Sequence, residues 1–410
     1  MPTVSALMRP AVQATRVALA RALTARAQAK PERDARVDFF RGIALLFIFI
    51  DHIPGNALAW FTLHNFGFAD AAEIFVALAG YAAFLAYART FDENGLAAGI
   101  GRVAGRIRDL YVAHLVLLCV CVGGLAIAAR TFQNPIYFEH VNLTPFNFDP
   151  GGAIWRALLL VYQPGYLNIL PLYMALMAWF AALVWLIRRN VGLAVVASFA
   201  MWAGANWLSW NPPSYPTDYG WVFNPFAWQL LFTLGAVCAA FTGRDERPRY
   251  SKALLTIAAA FVLGAFLVAA PWTRLPGLQD AGLFGTDLRA SISKQNLSLW
   301  RVAHIAALAL LAAALIPRHA RWLERPWAQW IINCGSHSLP IFCLGIVLSV
   351  TAFVVLIESG SSLWLQIAVN VVGIAIMGLT AWKLAQQKRA KAEARTGHHA
   401  GWSAWPLSWR

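Results

Sequence analysis

Arg41 and His52 stand eleven positions apart in the run from Asp38 to His52, DFFRGIALLFIFIDH. On an α-helix, at about 100° and 1.5 Å per residue, that spacing is about three turns and about 16 Å, so the two side chains share one face. A guanidinium is a permanent cation suited to carboxylates and phosphates, and an imidazole moves protons near neutral pH. Asp51 points roughly 100° away from His52 and cannot be assumed to join them. Residues of the same kinds recur further on. Arg102, Arg106, Arg108, Tyr111 and His114 follow one another, Arg301 and His304 lie one turn apart in LWRVAHIAAL, and Ser336, His337 and Ser338 sit in CGSHSLPI ahead of Pro340. A proline there frees a backbone carbonyl, which predicts an irregular helix start.

The elements that must hold these groups are membrane helices. Of 410 residues, 59% are apolar and only 13% are charged, and the mean hydropathy is +0.56, far from the mix of an average soluble domain. Ionisable groups inside such runs are costly, so a functional reading is the default. Stretches of bilayer length occur near 38–59, 69–88, 110–129, 166–187, 191–210, 222–242, 252–270, 299–316, 330–355 and 363–383, about ten spans in an all-α polytopic membrane protein. With the N-terminus inside, the alternation puts 27 of the 33 Lys and Arg residues on the inner side and 6 outside, a strong positive-inside bias that predicts both termini cytoplasmic. The net charge of +14 is therefore a topology signal, and no nucleic-acid partner is expected. The expected divisions are a basic cytoplasmic segment over 1–35, a transmembrane domain over 36–385 and a basic cytoplasmic tail over 386–410. The first 35 residues lack an apolar run of signal-peptide length, so they read as a surface-lying or disordered basic segment, not a cleaved leader.

Each polar group at membrane depth has two readings. His52 is either a satisfied core histidine or a general base. Glu73, on the second span, returns to about the depth of His52, where it is a candidate to bond the other ring nitrogen and fix the tautomer; its alternative is a helix-start carboxylate facing water. Arg41 either snorkels to the inner surface or joins Arg102, Arg106 and Arg108 in a basic pocket for a phosphate-bearing cytoplasmic donor. The serines around His337 either line a cavity or cap a helix. Three outer segments, 130–165, 208–224 and 271–298, mix aromatics with Asn and Pro. Their rings suit either sugar stacking or the interfacial aromatic belt, and the first has a short apolar piece suited to re-entry. Cys119, Cys121, Cys238, Cys334 and Cys343 fall in or beside apolar spans without metal-ligand spacing, which predicts neither a disulfide nor a metal.

These residues carry a resemblance. The R-x10-H pairing of Arg41 and His52 within VDFFRGIALLFIFIDH resembles the first-helix motif of the acyltransferase family-three membrane proteins. AEIFVALAGYAAF (Ala72 to Phe84) is similar to that family's second-helix segment, RVAGRIRDLY (Arg102 to Tyr111) to its third, and GSHSLPIF (Gly335 to Phe342) to a late Gly-x-x-Ser-aliphatic segment. Within the superfamily, VDFFRGIAL, IDHIPGN and EIFVALAGY look closest to the OpgC proteins, which place succinyl groups on osmoregulated periplasmic glucans. The resemblance runs from about residue 35 to 385. It departs where Phe342 leads into Cys343 without the superfamily's second histidine, and where Ala79 stands for a common serine.

The resemblance implies transfer of an acyl group from a cytoplasmic acyl-CoA, succinyl-CoA or acetyl-CoA, to a glycan hydroxyl outside a bacterial inner membrane, with no permanently bound cofactor. Arg41, Arg102 and Arg106 would hold the CoA phosphates, with Tyr111, Ser336 and His337 beside them. His52 would take the acceptor proton, with Glu73 and Arg41 supporting it, or form an acyl-histidine. Arg301 and His304 are candidates for the oxyanion or a succinyl carboxylate. The competing readings are a secondary transporter or exporter of a glycan or organic anion, against which no inverted repeat is found, and a structural partner of a glycan-synthesis complex.

Overall fold

The computed structural model describes residues 34–241, 250–269 and 292–402. Among them the fold is all-helical, with no strand. The helices are α1 (Ala35–Asp51), α2 (Ala71–Phe132), three short ones, α3 (Ile136–Glu139), α4 (Pro145–Phe148) and α5 (Pro150–Leu158), then α6 (Ile169–Arg189), α7 (Val191–Trp207), α8 (Pro225–Ala240), α9 (Lys252–Ala269), α10 (Leu299–Leu315), α11 (Pro326–Ser336), α12 (Ser338–Glu358) and α13 (Leu363–Trp402). Five of them, α2, α6, α9, α12 and the Leu363–Lys391 part of α13, are long and apolar enough to cross a membrane. Helices α7, α8 and α10 are shorter apolar ones. The second leg of α2 explains why this is a membrane protein: Val112, Val116, Val120 and Ile127 are exposed on one side while Leu110, Leu117 and Leu125 are buried on the other. A helix apolar on both faces is stable only where its outer face meets lipid.

Four boundaries differ from the sequence reading. The run expected to extend to residue 59 stops at Asp51, because Pro54 disfavours helix in the residue before it and Gly55 turns the chain at φ 68°. Short 3-10 turns at Ala57–Phe61 and Leu63–Asn65 follow. The second and third expected spans are two legs of one helix bent at Gly95, where φ is 83°, so the basic turn between them is itself helical. The segment 330–355 breaks at His337 into α11 and α12, with Pro340 in the first turn of α12. The expected tail from residue 386 continues α13 as far as Trp402. The basic segment 1–33, the last eight residues and most of the outer segment 271–298 lie outside the described residues.

Small residues let the bundle close. A Cβ on Gly235 of α8 would strike the Ala77 carbonyl of α2, and one on Gly80 would strike the Phe232 carbonyl in return. In the same way Gly335 of α11 lies against the Asp38 carbonyl of α1. Without a hydrophobic force between helices in lipid, such close backbone approach is a main source of packing energy.

Candidate active site

Where α1 ends and α2 begins, the 3-10 turns and the approaches to α6, α8 and α10 enclose a cavity of about 770 Å³. His52, Asp51, Asp70, His140, Tyr166 and Lys294 line it. It lies at the end of the bundle opposite the bend of α2, where Arg89, Asp92 and Arg102 sit and Asp92 pairs with Arg188 of α6.

His52 stands just past the end of α1, and its Nδ1 is 2.5 Å from the Ile48 carbonyl. A carbonyl only accepts, so Nδ1 carries the hydrogen and Nε2 keeps its lone pair. Nε2 has no protein partner among the described residues and belongs to a side chain that lines the cavity. The tautomer is thus set by the main chain one turn back. Asp51, whose direction could not be assumed, lines the same cavity and accepts from Thr62 Oγ1 at 2.6 Å.

The expectation that Glu73 orients His52 is corrected. Glu73 is fully buried and accepts from Arg301 Nη1. Its other oxygen accepts from the Asp70 backbone N–H at 2.8 Å, completing a capping box in which Asp70 Oδ1 accepts from the Ala72 N–H at 2.8 Å. A carboxylate bonded in both these directions has no role on His52, and its helix-start character is real but buried instead of facing water. Asp70 is further paired with Lys294 Nζ at 2.6 Å and lies 3.8 Å from Arg301 Nη1. Two acids and two bases thus balance one another at the cavity wall, Asp70 and Lys294 lining it and Glu73 and Arg301 behind them.

Arg301 and His304 do project together into the bundle, as their spacing predicts, and both are buried. His304 Nδ1 accepts from the Ala69 N–H at 3.3 Å. Neither lines the large cavity, and Arg301 is committed to Glu73; among the described residues, the Lys or Arg that lines the cavity is Lys294.

The expected basic pocket is divided. Arg41 neither snorkels nor meets the other arginines: it is buried, donates to the Leu78 carbonyl at 2.9 Å and lies 3.7 Å from Asp38. Arg102 donates to Thr90 at 2.7 Å and lies over the Tyr87 ring, and Arg106 lies over the Tyr173 ring. Tyr87 is nine residues beyond Leu78 on α2, about 14 Å by helix rise, which keeps these guanidiniums from converging on the niche of Arg41. Tyr111 donates its hydroxyl to the Leu158 carbonyl at 3.0 Å, a structural bond. Ser336 Oγ and His337 Nδ1 lie 2.9 Å apart, and Ser336 donates to the Asn333 carbonyl at 3.0 Å. They follow Gly335 on the turn that packs against Asp38, three residues before Arg41 in the chain.

A family model described as OpgC protein matches residues 33–389. The chain belongs to the OpgC family. Membership in the OpgC family points to an acyltransferase-like role in glucan modification. Neither the curated proteins nor the solved structures gave a match.

Asp70, His140, Tyr166 and Lys294 complete the cavity lining around His52, and no helical period or motif marks His140, Tyr166 or Lys294 in the sequence. For Asp70 a signal existed: Asp followed three residues later by Glu before an apolar run is a capping-box pattern.

Proposed function

We propose that this OpgC-family protein is a membrane O-acyltransferase of the bacterial inner membrane. It moves an acyl group, most readily succinyl, from a cytoplasmic acyl-CoA to a hydroxyl of a periplasmic or surface glycan. The observation that carries the reading is His52, whose Nδ1 is held by a main-chain carbonyl and whose Nε2 is left to a cavity of about 770 Å³, a volume in the range of small-molecule sites. Under the positive-inside bias the cavity end of the bundle faces outward, where a glycan arrives, and the arginine-rich bend faces the CoA pool.

In this reading the acceptor hydroxyl gives its proton to His52 Nε2 as its oxygen attacks the thioester carbonyl, and the CoA sulfur leaves with that proton. Histidine is the side chain whose ordinary pKa lies nearest neutrality, which suits it to both transfers. Lys294, with one donor on Asp70 and two more on its ammonium, is the group available to a succinyl carboxylate. Arg102 and Arg106 are the cations available to the CoA phosphates.

The test is transfer from labelled succinyl-CoA and acetyl-CoA to periplasmic glucan, using membranes that carry the native protein or His52→Ala. Incorporation should occur with the native protein and fall by about 100-fold or more without the base. Native membranes that transfer from neither donor would refute the reading; a fully active His52→Ala variant would remove His52 from it.

A further inference from the structure

Beside His52 in the cavity wall stands a second pair of proton-bearing groups. The Tyr166 ring meets the His52 ring edge-on, with centroids 4.9 Å apart and planes at 70°. Its hydroxyl lies 2.9 Å from His140 Nε2, and all three side chains line the cavity. Their loops are tied together beside the pair. Gly165 donates its N–H to the Val141 carbonyl at 2.8 Å, and the Tyr162 hydroxyl donates to the Asn142 carbonyl.

Tyr166 is held at φ 71°, in the left-handed region that disfavours bulky side chains. Such strain persists where the surroundings over-determine it. A glycine at 166 would adopt this turn freely, and the chain already carries one at 165. The turn alone therefore gives no reason for a tyrosine, whereas a hydroxyl needed in the cavity does. Partial desolvation lowers the His140 imidazole from its ordinary value, which favours the neutral ring with one N–H. With that hydrogen on Nε2, His140 donates to the Tyr166 oxygen and leaves the phenolic hydrogen to the cavity.

Resting on the acyl-transfer reading above, we infer that Tyr166, held by His140, is a second catalytic residue whose hydroxyl donates to the oxyanion formed on the thioester carbonyl. The acceptor O–H proton passes to His52 Nε2 as the new C–O bond forms. The carbonyl π pair moves onto oxygen, where the Tyr166 O–H receives it as a hydrogen-bond donor without losing its proton. When the pair returns, the C–S bond breaks and the sulfur takes the proton from His52. His140 touches no reacting atom and acts by positioning Tyr166.

The experiment compares native, His52→Ala, Tyr166→Phe, His140→Ala and the Tyr166→Phe/His140→Ala pair in the same membrane assay, each normalised to its amount in the membrane. Tyr166→Phe keeps the ring against His52 and removes only the donor. It should lower kcat by about 100-fold, as loss of one oxyanion donor does, with KM for the acyl-CoA nearly unchanged. The double variant should be no slower than Tyr166→Phe alone, since His140 acts through that hydroxyl. A kcat for Tyr166→Phe close to native, with His52→Ala inactive, would leave the acyltransferase standing and overturn this inference, because ring packing alone predicts that result. A double variant slower by the product of the two single effects would also overturn it. Should Tyr166→Phe not accumulate, His140→Ala decides: a reduced kcat at unchanged KM supports the inference and an unchanged kcat overturns it. No transfer by the native protein would bring down both readings.

Discussion

Glu73→Gln removes one buried charge at the start of α2, beside the cavity. The amide oxygen of glutamine still accepts from the Asp70 N–H, so the cap of α2 survives, but the buried Arg301 guanidinium loses its direct anion. Removing one partner of a buried ion pair costs about 3–5 kcal/mol, mostly for the charge left behind. Here the lower figure applies, because Asp70 Oδ2 remains 3.8 Å from Arg301 Nη1 and offsets part of the loss. We expect Glu73→Gln to destabilise by about 3 kcal/mol, and Arg301→Met by a similar amount because it leaves Glu73 buried without its cation. The Glu73→Gln/Arg301→Met pair should cost much less than the sum, since neither charge is then stranded. Equilibrium unfolding in detergent, followed by the fluorescence of the 19 tryptophans, gives the three free energies. A Glu73→Gln protein as stable as native, or a double variant equal to the sum within about 0.5 kcal/mol, would refute the assignment of Glu73 as the anchor of Arg301.

Two further variants probe the frame of the cavity. Asn56 and Asn370 exchange amide hydrogen bonds at 3.1 and 3.0 Å and are both buried. Asn370→Ala removes both bonds of the exchange but leaves Asn56 its bonds to the Ile50 carbonyl and the Leu58 N–H, so it should cost about 1 kcal/mol in the same unfolding assay; no change would mean the pair is not a brace. Gly235→Val places methyl groups against the Ala77 carbonyl, and overpacking of this kind should cost about 1–3 kcal/mol. Comparable stability to native would show that α2 and α8 can part more easily than their packing implies.

The amino-acid sequence alone determined an all-helical chain in which several helices carry apolar faces and are long enough to cross a membrane, because hydropathy and helical period are local quantities. It also carried the family, through motifs that each lie within one helix. The partners of those faces were decided only in the tertiary structure. Helical period says which side of α2 bears Glu73 but not which helix packs there, and the packing supplied Arg301, 228 positions away, in place of His52. Similarly, Tyr166 and His140 reach the cavity through loop bonds between segments without periodicity, and Lys294 through its pairing with a helix cap 224 positions earlier. Even the orienting partner of His52 was near in sequence yet illegible there. A backbone carbonyl has no side-chain signature, and that of Ile48 accepts from the His52 backbone N–H at 3.1 Å as well as from the ring.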